Sequence, residues 1–267
     1  MKVLCIGRGN RGTRAPSMSG ITSRRHWLTG LAAVVAGLAL PLTNRAQSDV
    51  RRAHERLMVE IDADMRATAY GTGRSALSPS VRRAMETVPR ERFVPPELAP
   101  LAYENRPLPI GHGQTISQPF IVALMTELLD PQPGDVILEV GTGSGYQAAV
   151  LAACVHKVYS VEIVAPLARQ ARAALDAAGV RNVETRVGDG YRGWPEAAPF
   201  DGIIVTAAPD HVPPALVEQL KPGGRLVIPV GPVALGQDLL LIRKDADGRT
   251  VSRRTIAVRF VPLTRER

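Results

Sequence analysis

Val136-Ile137-Leu138-Glu139-Val140-Gly141-Thr142-Gly143-Ser144-Gly145-Tyr146 carries an apolar run into an acid and then into three glycines spaced one residue apart. Such a run suits a fully buried parallel strand, and the glycines let the following turn take φ > 0 and bring backbone close to a ligand. The dinucleotide rhythm, G-x-G-x-x-G, aims a helix N-terminus at a pyrophosphate. Here the spacing is G-x-G-x-G, with Glu139 two residues before the first glycine. A carboxylate at that point repels a pyrophosphate and accepts a cationic or hydroxyl-bearing ligand. S-adenosylmethionine has an ammonium group, a sulfonium and a ribose, and no phosphate. The loop alone is equally open to a plain tight turn or another nucleotide.

Downstream of the loop, strand and helix patterns alternate. Strands are expected at 158–162, 183–187, 200–206 and 225–230, with helices at 165–178 and 212–220, the latter ended by Lys221-Pro222-Gly223-Gly224. Two further strands, 238–243 and 256–261, are separated only by the polar turn Asp245-Ala246-Asp247-Gly248. Alternation implies a parallel sheet, and the late pair implies antiparallel edge strands. The fold class is therefore α/β, a doubly wound, mostly parallel seven-stranded sheet with a helical N-terminal extension.

Upstream, Leu57, Ile61 and Met65 share one face of a helix over 50–69, which Gly71 and Gly73 stop, and Pro89 ends a short helix over 80–88. Residues 90–97 and the proline- and glycine-rich stretch 103–113 read as irregular chain. Ser117 has the chemistry of an N-cap for an apolar helix over 121–129, with Pro119 in its first turn.

The chain has 267 residues, room for one large α/β core. Its net charge of +8 is concentrated at one end. Residues 1–56 hold ten Lys or Arg against Asp49 and Glu55, and the rest carries 23 of each sign. A neutral body lacks the basic surplus of a nucleic-acid binder, so no nucleic acid partner is expected. Two cysteines, Cys5 in the basic leader and Cys154 expected on a helix against the sheet, supply neither a disulfide framework nor a metal cluster.

Residues 1–49 read as a basic leader and 50–267 as the catalytic domain. Ser23-Arg24-Arg25-His26-Trp27-Leu28 precedes an apolar run to Leu40, too short to span a bilayer comfortably. Paired arginines there resemble a twin-arginine export signal, although Asn44-Arg45-Ala46 is a poor cleavage site. The other reading is a disordered extension, with Met18 as the natural start. A methyl donor made in the cytosol argues for a cytoplasmic address, with the periplasm as the alternative.

In doubly wound sheets ligands bind outside the carboxyl ends of the strands. Glu162 ends the second strand, where a carboxylate binds two ribose hydroxyls together, and Asp189-Gly190 follows the third, within reach of an adenine amino group. No G-x-S-x-G, H-E-x-x-H or histidine cluster offers a nucleophile or metal site. Methyl transfer to a carboxylate needs no base, because a carboxyl with a pKa of roughly 4 is already ionised at pH 7.

These motifs, together with Thr115-Ile116-Ser117-Gln118-Pro119-Phe120, Gly188-Asp189-Gly190, the run Phe200-Asp201-Gly202-Ile203-Ile204-Val205-Thr206-Ala207-Ala208, Leu220-Lys221-Pro222-Gly223-Gly224-Arg225-Leu226 and Phe260-Val261-Pro262-Leu263-Thr264, resemble the protein-L-isoaspartate O-methyltransferases from about Leu77 to Thr264. The resemblance implies a Rossmann-like methyltransferase domain that uses S-adenosylmethionine and no metal. The reaction it implies is methylation of the α-carboxylate of isoaspartyl residues in damaged proteins or peptides, whose esters collapse through a succinimide. By that resemblance Ser117 is the active-site residue, orienting substrate and cofactor, and Thr115, Glu139, Gly141, Thr142, Gly143, Gly145, Glu162, Asp189, Gly190 and Thr264 bind cofactor. The enzyme is expected to act as a monomer. A methyltransferase with another acceptor and a nucleotide-binding module without turnover are the competing classes. The leader is a departure, since a cytosolic repair enzyme does not require it.

Overall fold

In the computed structural model, residues 33–232 and 236–265 are described, with side chains from residue 47 onward. Cys5, Met18 and the Arg24-Arg25 pair lie outside them. Contacts divide the chain into residues 1–46 and 47–267. No helix among the described residues is long and apolar enough to cross a membrane.

The strands are β3 (Val136–Val140), β4 (Lys157–Glu162), β5 (Val183–Val187), β6 (Phe200–Val205), β7 (Leu220–Val230), β8 (Gln237–Lys244) and β9 (Thr250–Val258), with the apolar runs of β3 and β6 buried at the centre and β9 exposed at the edge. They make one seven-stranded sheet in the order β5-β4-β3-β6-β7-β8-β9. Pairing is parallel from β5 to β7, and β8 runs antiparallel to both of its neighbours. The chain winds outward from β3 to β5 and then returns to place β6 on the other side of β3. The crevice at the carboxyl ends of β3, β4 and β6 is therefore the switch point, where such sheets bind ligands.

Strand alternation divides the core between two faces. Ile137, Val158, Ile204 and Val227 pack beneath α1 (Ala33–Thr72), α2 (Pro79–Thr87), α3 (Pro119–Leu129) and α4 (Tyr146–Ala152). Leu138, Val140, Ile203, Val205 and Leu226 pack with Trp194 and with Leu216 of α6 (Pro214–Glu218) on the other face. Leu57, Ile61 and Met65 are buried along α1, as their spacing predicts. Helix α5 (Ala165–Ala177) adds Leu167 and Leu175 to the first face.

Several expectations need correction. Gly71 lies inside α1, and Gly73, at φ +69°, follows its end. Residues 90–97 contain a 3-10 turn, Arg90–Phe93, and the start of a second, Pro96–Leu101. Residues 103–113 hold β1 (Leu108–Gly111), which pairs with β2 (Gln114–Ile116) as an antiparallel hairpin. Ser117 does not cap α3: Gln118 occupies the N-cap without a side-chain bond, and Asn105 Oδ1 accepts the Phe120 N–H at 3.1 Å instead. Cys154 is buried in the turn just past α4, not on the helix. The final strand is Thr250–Val258 because it pairs with β8 along the hairpin from Asp245 to Gly248. Helix α6 is shorter than expected, and β7 already begins at Leu220.

Leu138 sits at the centre of the sheet with no exposed surface. Leu138→Ala should lower unfolding free energy by about 2–5 kcal/mol in urea titrations, while Leu138→Met should cost less than about 1.5 kcal/mol. A Leu138→Ala loss below about 1 kcal/mol would show that this layer is not the packed centre of the domain.

Candidate functional site

A cavity opens at the switch point, lined by residues 114–117, 141–144, 162–164, 206–207 and 261–264 together with Val122, Val140, Tyr146, Gln147, Val161 and Gly190. Its floor is backbone. Gly141 N–H donates to Val161 O at 2.8 Å as the chain leaves β3, and φ reaches +98° there. A Cβ on Gly141 would overlap Thr206 Oγ1, which donates to Gly141 O at 2.5 Å and to Val140 O at 3.1 Å. A Cβ on Gly190 would overlap the Val140 side chain. Glycine at these two positions lets the chain ends of three strands close around one space.

Glu162 ends β4 at the edge of that space. Its Oε2 accepts the Gly143 N–H at 2.8 Å and its Oε1 accepts the Val164 N–H at 2.9 Å. A carboxylate has about four lone-pair sites, so each oxygen keeps room for a hydroxyl donor. Glu162 is the only charged side chain of the lining, which contains no Lys, Arg or His. Such a cavity suits a nucleoside without phosphates. On the opposite wall, Thr115 and Ser117 present hydroxyls at the end of the β1–β2 hairpin. Among the described residues, no group of three or more His, Cys, Asp or Glu is placed to hold a metal ion.

Of the sequence-derived site residues, Thr115, Ser117, Gly141, Thr142, Gly143, Glu162, Gly190 and Thr264 line this cavity. Glu139, Gly145 and Asp189 stand outside the lining. Gly145, at φ +88°, is the N-cap position of α4 and packs toward Ala171 and Leu175. Asp189 Oδ1 accepts the Tyr191 N–H at 2.9 Å and caps a 3-10 turn over Gly190–Arg192. Glu139 lies wholly buried beneath the loop, its Oε2 accepting from Ser160 Oγ, which in turn bonds Thr142 Oγ1 at 2.6 Å. Glu139 Oε1 is buried without a partner among the described residues. Burial pushes the Glu139 carboxyl up to about 8 against the downward pull of the Ser160 bond, and the charge on Glu162 adds to the rise.

The sequence reading missed Tyr146, Gln147, Thr206, Ala207 and the apolar wall at Ile163, Val164, Val261 and Leu263. Thr206 was within reach, since it follows the carboxyl end of β6, the strand beside β3. Val261 and Leu263 depend on how a C-terminal segment folds back: Ala208 N–H donates to Val261 O and Leu263 N–H to Ala208 O, each at 2.8 Å.

A family model described as protein-L-isoaspartate(D-aspartate) O-methyltransferase matches residues 69–267. The chain belongs to that family. The protein-L-isoaspartate O-methyltransferase 1 of Cupriavidus necator is 55% identical over 234 residues, covering 87% of this chain and 90% of that protein. A solved protein-L-isoaspartate O-methyltransferase is 31% identical with a TM-score of 0.67, over 78% of this chain and 65% of that one. A Plasmodium falciparum protein in complex with S-adenosyl-L-homocysteine shares the fold at 24% identity and TM-score 0.65, over 78% of this chain and 99% of that one.

The sign of the Glu139 effect is fixed by its raised pKa. The folded protein keeps the proton to about pH 8, whereas the unfolded chain releases it near 4.5, so this group's stabilising contribution falls as pH rises from 4.5 to 8. Glu139→Gln, which cannot ionise, should therefore flatten that decline in urea titrations at pH 5 to 8. An unchanged pH slope would show that Glu139 is ionised in the fold.

Proposed function

We propose that the switch-point cavity binds S-adenosylmethionine and that the protein transfers its methyl group to the α-carboxylate of L-isoaspartyl residues in damaged proteins or peptides. The observation that carries this reading is a lining whose only charge is Glu162 and which includes Thr115 and Ser117, whose hydroxyls have no hydrogen-bond partner among the described residues. Family membership over residues 69–267 supports the same activity.

When bound, S-adenosylmethionine supplies an electrophilic methyl group on a sulfonium. Glu162 would hold the ribose hydroxyls with the lone pairs left free by Gly143 and Val164. Gly141, Thr142, Gly143 and Gly190 would let the backbone approach the nucleoside, and Thr264 would bound it on the C-terminal side. Ser117 would donate to the acceptor and align a carboxylate oxygen with the methyl carbon, and Thr115 would hold the cofactor beside it. No general base is required, because the acceptor carboxyl, with a pKa of roughly 4, is ionised at neutral pH. Ile116, Val122, Val140, Val161 and Leu263 exclude water from the reacting atoms. Alignment and water exclusion supply the rate enhancement.

The cytoplasm is the proposed compartment, because the methyl donor is made there.

Tritiated methyl from S-adenosylmethionine should enter an isoaspartyl peptide and not its aspartyl twin. Equal labelling of both would assign another acceptor. Calorimetric binding of S-adenosylhomocysteine without labelling of either would make the domain a binding module.

A further inference from the structure

Arg90 is the largest side chain in the fully buried core, and among the described residues it has no carboxylate partner. Its Nε donates to Ala102 O at 2.8 Å and its Nη2 to Arg106 O at 3.4 Å. Its Nη1 is buried with no oxygen or nitrogen partner among the described residues. The guanidinium carbon lies 5.0 Å from the centre of the Tyr146 ring, within the range of a cation–π contact. Burial lowers the guanidinium to about 10, with Tyr146 and Tyr103 opposing the fall, so it stays cationic at neutral pH. The ring face is thus the remaining acceptor for a desolvated cation.

One end of this contact lines the cavity, and the other holds the segment that leads to the Ser117 hairpin. Tyr146 opens α4 directly after the glycine loop and lines the cofactor side. Residues 102–106 lead into β1, whose hairpin delivers Ser117. Within that segment Asn105 Oδ1 accepts the Phe120 N–H at 3.1 Å, fixing the first turn of α3 immediately after Ser117. A continuous path therefore runs from the Tyr146 ring through Arg90 to the 102–106 carbonyls, and through Asn105 to the base of the Ser117 segment.

We propose that Arg90 is a positioning residue that sets the distance between Ser117 and the cofactor loop by clamping residues 102–106 onto the face of Tyr146. It touches neither substrate nor cofactor. The proposal rests on the methyl-transfer reading for its kinetic consequence, but the clamp itself can be tested without turnover.

Arg90→Met keeps the stem and removes the charge and donors. In the purified protein, hydrogen exchange should quicken across residues 102–120 and stay unchanged across 141–147. Calorimetric affinity for S-adenosylhomocysteine should hold within about threefold, while kcat for an isoaspartyl peptide falls about 10- to 100-fold, the scale of a misplaced reacting group. The factor lost on Arg90→Met should be the same in a Tyr146→Phe background, which keeps the ring face. It should shrink to less than about threefold in a Tyr146→Leu background, where the clamp is already open at its other end. Where Arg90→Met does not fold, Arg90→Lys, which keeps a charge but only one mobile donor group, carries the same comparison. Unchanged exchange across 102–120, an equal factor in the Leu and wild-type backgrounds, or parallel loss of kcat and cofactor affinity would overturn the proposal. A wild-type protein that labels no isoaspartyl peptide would overturn the functional reading alone, because the exchange comparison still decides the clamp.

Discussion

The site depends on one carboxylate that joins two strands. Glu162 ends β4, and its oxygens take the N–H of Gly143 from the loop after β3 and that of Val164 from its own strand's exit. Charge-assisted bonds of this kind are about twice as strong as neutral ones, and here they fix a loop made of residues with little conformational preference. The loop's other anchor is Thr206, whose hydroxyl reaches back to Gly141 from the end of β6. Three adjacent strand ends thereby hold a single glycine turn in one shape, and the cavity is the space that shape leaves open.

Beneath the loop, ionisable groups are buried without ion partners, and each is neutralised or spread in its own way. Glu139 keeps its proton and hydrogen-bonds through Ser160 to Thr142, and so braces the loop from below. Arg90 keeps its charge and shares it between two carbonyls and an aromatic face. Uncompensated burial of either charge would be prohibitive, so these arrangements constrain the backbone around them. Neither is part of the cavity lining.

The buried strands and the sheet's winding were legible because parallel strands covered on both faces must be apolar runs, and Val136 to Val140 is such a run. Glu162 was legible as the acid that ends the second strand, Gly141 as the first glycine of the loop, and Gly190 as the partner of Asp189 after the third strand. Elements whose reasons are tertiary were not legible. The hairpin at 108–116 is four residues against three, with Pro109 and Gly111 inside it, and shows no alternation long enough to read. The edge strand Thr250–Val258 is mostly exposed and polar, so its pattern resembles loop. Ser117 reads as a helix cap, but Asn105 makes that bond, to the N–H of Phe120 fifteen residues further on. With that bond made by Asn105, Ser117 stands in the cavity lining instead.

Calorimetry with S-adenosylhomocysteine on Glu162→Ala and Ser117→Ala tests most directly whether the β3–β4 junction is the cofactor site. Loss of hydrogen bonds to a charged group should weaken binding by about tenfold or more in Glu162→Ala, with Ser117→Ala within about threefold of the parent. Wild-type affinity in Glu162→Ala, or a larger loss in Ser117→Ala, would contradict the assignment of the ribose to Glu162.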